Sequence, residues 1–127
     1  MVTQAPVTSF ADKPFNFLDH KRAHPVKKTY RSTAVNMTFR TEERILGMTS
    51  TGTARTITIG SNLIKKAGHI FSIVDEGGGA ASNNITVATE ASENINGAST
   101  YVMNANREAT TFYSNGSNLF ILSSYLE

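Results

Sequence analysis

Hydrophobic and polar residues alternate in short runs through most of the chain after residue 34, which is the pattern of half-buried β-strands. Val35, Met37 and Phe39 mark a first short strand. Residues 41–46 fit either one helical turn or a continuation of that strand. Seven further strands are predicted, over residues 55–59, 63–67, 70–74, 85–89, 100–104, 109–114 and 118–123.

Gly- and Asn-rich segments separate these runs, and they predict the turns. Asn96-Gly97 and Asn115-Gly116 lie between predicted strands. We expect a hairpin with a type I′ turn at Asn115-Gly116, because that turn needs positive φ at both central residues and Asn and Gly tolerate it. Residues 75–83, with three consecutive glycines, predict a wide loop. Short strands at this even spacing predict an all-β fold, a compact antiparallel sandwich or prism-like module.

The beginning of the chain follows different rules. Residues 1–31 show no sustained helical or strand period, and all three prolines lie within the first 25 residues, whereas all nine glycines come after residue 46. Proline removes a backbone donor and is excluded from sheet interiors. We therefore predict an extended N-terminal arm over residues 1–45 and a β module over residues 46–127. A disordered tail is the alternative for the isolated arm.

Charge divides at nearly the same place. Residues 1–44 carry eight Lys or Arg and four Asp or Glu, a net charge of +4, and residues 45–127 carry four and six, a net charge of −2. A basic arm with spaced aromatic side chains is expected to become ordered on the acidic surface of a partner. The predicted contact residues are Phe15, Phe17, Lys21, Arg22, Lys27, Lys28, Tyr30 and Arg31.

The module is small and poor in large apolar residues. Leu, Ile, Val and Phe number 29 of 127 residues, and Thr, Ser and Asn number 39. With no cysteine, neither a disulfide nor a thiolate metal site adds stability. We therefore expect neighbouring copies of the chain to complete its burial.

Membrane and targeting segments are not expected. No apolar run approaches the ~20 residues that cross a bilayer, and residues 1–10 lack the charged-then-apolar order of a signal peptide. We expect synthesis in a cytoplasm and no membrane partner.

The histidines are the candidates for metal or catalytic sites. His20 and His24, beside Asp19, are spaced for one face of a helix, but Pro25 disfavours a helix there. His69 has no identifiable partner and is expected to be packed or exposed. No metal and no cofactor is expected.

The acidic residues of the module do not predict an enzyme. Asp75-Glu76 precede a glycine run but lack the spacing of an EF-hand and the lysine of a P-loop. Glu90 and Glu93 resemble a glycosidase pair in type only, since so small a chain has little mass for a cleft. Phosphate contacts from the basic arm would suit nucleic acid, but the low net charge favours a protein partner.

Residues 53–122 resemble the β module that recurs in phage virion proteins, among them tail-fibre segments and small capsid-decorating proteins. The resemblance rests on five ordered blocks: GHIFSIVD from Gly68, AASNNITV from Ala80, ENING from Glu93, YVMN from Tyr101 and FYSNGSN from Phe112. Members usually place tryptophan soon after the last Asn-Gly, where this chain has Leu119 and Phe120. The resemblance implies a trimeric structural module.

Together these features lead us to expect a non-enzymatic virion structural protein on the capsid exterior. The expected role is capsid decoration, or cementing, by a homotrimer whose arms clamp neighbouring subunits of the major capsid protein, so that weak contacts act together. A tail- or head-fibre component is one alternative. A carbohydrate-binding receptor module is another, with Tyr101, Tyr113 and Tyr125 as the available aromatic platforms.

Overall fold

A computed structural model describes residues 29–126. In this part of the chain there are nine strands and one short helix, and the all-β prediction is confirmed. In chain order the elements are β1 (Tyr30–Thr33), β2 (Met37–Phe39), β3 (Ile45–Met48), β4 (Arg55–Ile59), α1 (Ser61–Ile64), β5 (Ile70–Asp75), β6 (Ile85–Thr89), β7 (Thr100–Met103), β8 (Ala109–Ser114) and β9 (Leu119–Tyr125).

The strands form two sheets that pack face to face. The five-stranded sheet has the order β9-β8-β5-β3-β1, and the four-stranded sheet has the order β2-β4-β6-β7. From β1 to β6 the chain alternates between the sheets, so each strand is followed by one in the opposite sheet. Neighbours within a sheet are parallel in this part, and β7, β8 and β9 then return antiparallel to their neighbours.

The expectation of an antiparallel module is therefore wrong, since both sheets are mixed. Among the described strands, four neighbouring pairs are parallel and three are antiparallel. Parallel neighbours need a crossover connection, and here the strand in the opposite sheet supplies it. Alternation of polar and apolar residues shows which side chains face the core, but not which strand lies alongside.

The core lies between the sheets and is built within one chain. It contains 16 buried apolar residues, drawn from both sheets, α1 and the connecting loops. Three phenylalanines form its centre: the ring centroids of Phe39 and Phe71 are 5.8 Å apart, and those of Phe71 and Phe112 are 5.3 Å apart. Burying each such ring contributes about 1.5–3 kcal/mol.

Residues 30–39 contribute strands to both sheets, although they lie within the range predicted as the arm. β1 pairs in parallel with β3, and β2 pairs in parallel with β4. The paired part of the described chain therefore begins at Tyr30. Residues 1–28 lie outside the described residues, and the arm remains a prediction for them.

The predicted hairpin at residues 115–118 is present, but its turn differs from the expected type. Gly116 has a φ of 99°, whereas Asn115 does not have positive φ. The Asn115 side chain instead accepts hydrogen bonds from the N–H groups of Ser117 and Asn118, at 3.0 and 2.9 Å. An Asx-type turn of four residues thus joins β8 to β9.

The type I′ geometry occurs at the other Asn-Gly pair. Asn96 and Gly97 have φ values of 53° and 86°. Ile95 and Ala98 exchange both backbone hydrogen bonds around them, at 2.6 and 3.0 Å. Positive φ at both central residues is what a two-residue I′ turn requires.

Residues 63–67, predicted as a strand, are replaced by the helical turn α1. Leu63 and Ile64 are adjacent and both buried. In a strand, adjacent side chains point to opposite faces, so one of these two would leave the core. A helical turn lets both contact it.

Candidate interaction surface

The outer face of the five-stranded sheet is unusually apolar for a surface. It consists of the side chains that alternate with the buried ones, and none of its outward strand positions carries a charge. We call it the aromatic face. Its apolar members are Tyr30, Ile45, Ile70, Val74, Ala109, Tyr113, Phe120 and Tyr125.

A strip of large side chains crosses three strands of the aromatic face. Ile70 on β5 lies opposite Tyr113 on β8, which lies opposite Phe120 on β9. The rings of Tyr113 and Phe120 stack with centroids 5.6 Å apart and an interplanar angle of 26°. Stacked aromatic pairs of this kind stabilise neighbouring strands.

The carboxylate of Glu76 reaches the same face beside β3. A Cβ atom at Gly47 would collide with this carboxyl group, so the glycine leaves the space in which it lies. The Tyr30 hydroxyl donates to the carboxylate, with oxygen–oxygen distances of 2.9 and 3.0 Å. This hydrogen bond raises the pKa of the Tyr30 phenol. The carboxylate at this face therefore has a hydrogen-bond donor within the chain.

Of the eight predicted arm contacts, the structure describes Tyr30 and Arg31, both in β1. Tyr30 lies on the aromatic face, and the Arg31 guanidinium donates to Thr41 Oγ1 at 3.1 Å. The other six lie outside the described residues: Phe15, Phe17, Lys21, Arg22, Lys27 and Lys28.

Sequence reasoning did not identify the aromatic face, although a signal existed. Phe112-Tyr113 and Leu119-Phe120 are adjacent apolar pairs within predicted strands. Since successive strand residues point to opposite faces, each pair places one apolar side chain in the core and one outside.

The outer face of the four-stranded sheet is also uncharged but is polar. Its outward positions are Thr38, Thr56, Thr58, Thr86, Ala88, Thr100 and Val102. An open groove of about 450 Å³ lies on it beside β2, lined by Asn36, Met37, Thr38, Thr56 and Thr58. The lining contains hydroxyl and amide groups but no titratable side chain, so it offers hydrogen bonds without acid–base chemistry.

Asp75 holds the glycine loop together from inside the protein. Its buried carboxylate accepts hydrogen bonds from the backbone N–H groups of Gly78, Ala80 and Arg107, at 3.0–3.1 Å, and from Thr51 Oγ1 at 3.1 Å. A carboxylate with this many donors is fully used by the fold. The loop is thus a braced turn.

Glu108 braces the segment that follows β7 in the same way, through hydrogen bonds to its carboxylate. Its buried carboxylate accepts hydrogen bonds from the hydroxyls of Tyr101 and Thr110, at 2.7 and 2.9 Å, and from the backbone N–H groups of Asn104 and Ala105. Burial, with a smaller contribution from this carboxylate, raises the pKa of Tyr101. Tyr101 also packs edge-on against Phe112, so it is a half-buried structural residue.

Glu90 and Glu93, the candidates for a catalytic pair, both have lowered pKa values. Glu90 forms an ion pair with Arg40 and accepts a hydrogen bond from the Ser61 N–H, and both interactions lower its pKa. A hydrogen bond from Ser61 is the main cause of the lowered pKa of Glu93. Neither carboxyl has the raised pKa that a general acid needs at neutral pH.

His69 packs against the core at the start of β5. Its ring stacks on Phe71 with centroids 5.6 Å apart, and its Nε2 atom is buried with no hydrogen-bond partner among the described residues. Burial lowers its pKa. Within residues 29–126, no group of three or more His, Asp or Glu side chains is arranged to hold a metal ion. No helix in the same range is long and apolar enough to cross a membrane.

Comparison of the chain with models of known protein families gives no match, and comparison with curated proteins gives none either.

Proposed function

We propose that this protein is a non-enzymatic virion structural protein of a phage, a capsid decoration (cement) protein. In this proposal the β module self-associates as a trimer on the capsid exterior, and the N-terminal arm clamps neighbouring subunits of the major capsid protein. Three arms acting together would raise the effective concentration of each contact.

One observation carries the proposal: a complete core within one chain lies beneath a sheet whose outward strand positions are largely apolar and carry no charge. A protein that acts alone in solution rarely exposes a contiguous apolar surface, whereas a protein built to assemble needs one. The resemblance of residues 53–122 to phage virion modules supports the same interpretation.

The arrangement of the titratable groups also supports a structural role. The buried carboxylates of Asp75 and Glu108 brace loops, and the Glu90 carboxylate is paired with Arg40. These charges therefore serve the fold.

The test is binding to phage capsids that lack the protein. Full-length chain is mixed with such shells, and bound protein is measured by co-sedimentation and by image reconstruction of the particle. A variant lacking residues 1–28 is the matched comparison, because it retains every described strand. We expect the full chain to bind and the shortened chain to keep its circular dichroism spectrum but lose binding. Equal binding by both would refute the arm's role.

A carbohydrate-binding module is the second candidate, favoured by the partly exposed, stacked rings of Tyr113 and Phe120. Stacked and flat aromatic surfaces suit sugar rings. A glycan array with competable binding would favour this candidate, and an array without binding would remove it.

A further inference from the structure

We infer that the aromatic face is the surface through which copies of this chain pack against one another, its partner being the same face of neighbouring copies. The inference deepens the proposed function and rests on its self-association. It assigns that association to one of two outer faces.

The first argument is that the aromatic face is not needed for the core of its own chain. Phe71, Ile73 and Phe112, on the inward side of the same strands, are already fully buried against the opposite sheet. Ile70 and Ile45, on the outward side, remain 39% and 42% exposed. A sheet with apolar side chains on both sides is typical of one that is covered on both faces.

The second argument concerns the kind of partner. Interfaces between permanently associated copies resemble a protein core cut in half, apolar and depleted in charge. The strand positions of the aromatic face include no Lys, Arg, Asp or Glu. Apart from the Glu76 carboxylate beside β3, the face offers a charged partner no group to pair with, whereas an identical apolar face matches its strand positions.

The third argument is the treatment of the Glu76 carboxylate. Covering an unpaired carboxylate would be costly. Here the hydroxyl of Tyr30, in the neighbouring strand β1 of the same chain, already donates a hydrogen bond to the carboxylate. One of the hydrogen bonds that this carboxylate needs is therefore already made within the chain before a partner covers the face.

The experiment compares two lysine substitutions on opposite outer faces of the full-length chain. Ile70→Lys changes the aromatic face, and Val102→Lys changes the threonine-rich face. The two residues are matched in being β-branched, in strands and 39% and 41% exposed. Sedimentation velocity across the micromolar range measures the mass of each species, and circular dichroism measures the fold.

We expect the wild-type chain and Val102→Lys to sediment as the same oligomer. Ile70→Lys should be a folded monomer, with its self-association weakened by about 100-fold or more because a charge would be buried unpaired. If Ile70→Lys does not fold, Ile45→Lys on the same face decides in its place.

Three results would overturn the inference: a monomeric wild type, an oligomer unaffected by Ile70→Lys, or dissociation by Val102→Lys alone. Unfolding of both aromatic-face variants would also overturn it, since the face would then belong to the chain's own core. Oligomeric wild type that fails to bind phage shells would refute the decoration function while leaving this inference standing. A monomeric wild type that binds shells would refute this inference while leaving shell binding by the chain standing.

Discussion

The Tyr30 hydroxyl lies 2.9 and 3.0 Å from the two carboxylate oxygens of Glu76, a residue 46 positions later in the chain. This contact ties β1 to the residue that follows β5. Among the described strands, β1 pairs only with β3, so the contact adds a second link between β1 and the rest of the sheet.

The pH dependence of Tyr30 follows from that contact. Because hydrogen bonding to Glu76 raises the folded-state pKa above the usual value of 10.0, the stabilisation is fully present below pH 10 and is lost as pH rises through the folded-state pKa. We predict that NMR of isotope-labelled tyrosine shows Tyr30 deprotonating at a higher pH in the folded protein than in the unfolded chain.

Gly47→Ala tests the same contact from the other side. The added methyl group would displace the Glu76 carboxyl group from β3 and remove the acceptor of Tyr30. We expect the Tyr30 pKa to return toward its ordinary value and amide exchange in β1 to become faster. An unchanged Tyr30 titration in this variant would show that Glu76 is not the cause.

Removing the buried carboxylate of Asp75 should be strongly destabilising. Asp75→Ala leaves three backbone N–H groups and the Thr51 hydroxyl without their acceptor, and we expect unfolding free energy to fall by roughly 3–5 kcal/mol. Chemical denaturation measures it. Glu93→Ala, at a less buried carboxylate, is the control and should change stability far less; comparable losses in the two variants would contradict the bracing role.

Gly97 and Gly52 provide a matched pair for backbone strain. A Cβ atom would meet nothing within 4 Å at either position, but Gly97 has a φ of 86°. We predict that Gly97→Ala lowers the unfolding free energy by about 1–2 kcal/mol, whereas Gly52→Ala is neutral or slightly stabilising. Thermal unfolding of the two variants separates these outcomes, and equal effects would argue against a strained I′ turn.

His69 should make the protein less stable in mild acid. Burial is the main cause that lowers its folded-state pKa below the usual 6.5. The negative charge of Glu42 acts to raise this pKa, and the positive charges of Arg44 and Lys66 act to lower it further. The unfolded chain therefore takes up a proton first, so stability is full above pH 6.5 and declines as pH falls from there toward the folded-state pKa. We predict that His69→Phe, which can keep the stacking on Phe71, flattens this part of the stability profile. A profile identical to wild type would exclude His69 as its source.

Several features of the fold could be predicted from the sequence because they depend on neighbours in the chain. Residues 55–59, 85–89 and 109–114 are strands with the predicted bounds, since alternation with a period of two is local. Features that depend on residues far apart in the chain could not be predicted from the sequence. The same Asn-Gly dipeptide occurs in the I′ turn and in the longer loop, so the dipeptide by itself does not decide which turn forms.

For the same reason, the sequence could indicate single outward apolar residues but not the surface that they form together. The tyrosine at position 113 was visible as an aromatic residue in a strand, but its neighbours Ile70 and Phe120 lie on strands whose adjacency only the topology creates.

By itself, the sequence determined that the chain is all-β after its first part, where most strands lie and which residues alternate toward the core, because these follow from the geometry of a single strand. Only the tertiary structure decided that the first six strands alternate between two sheets as parallel neighbours, that Tyr30 binds Glu76 and that large apolar side chains collect on one outer face. Those outcomes depend on which strands lie side by side, and strand pairing is settled by packing across the whole core.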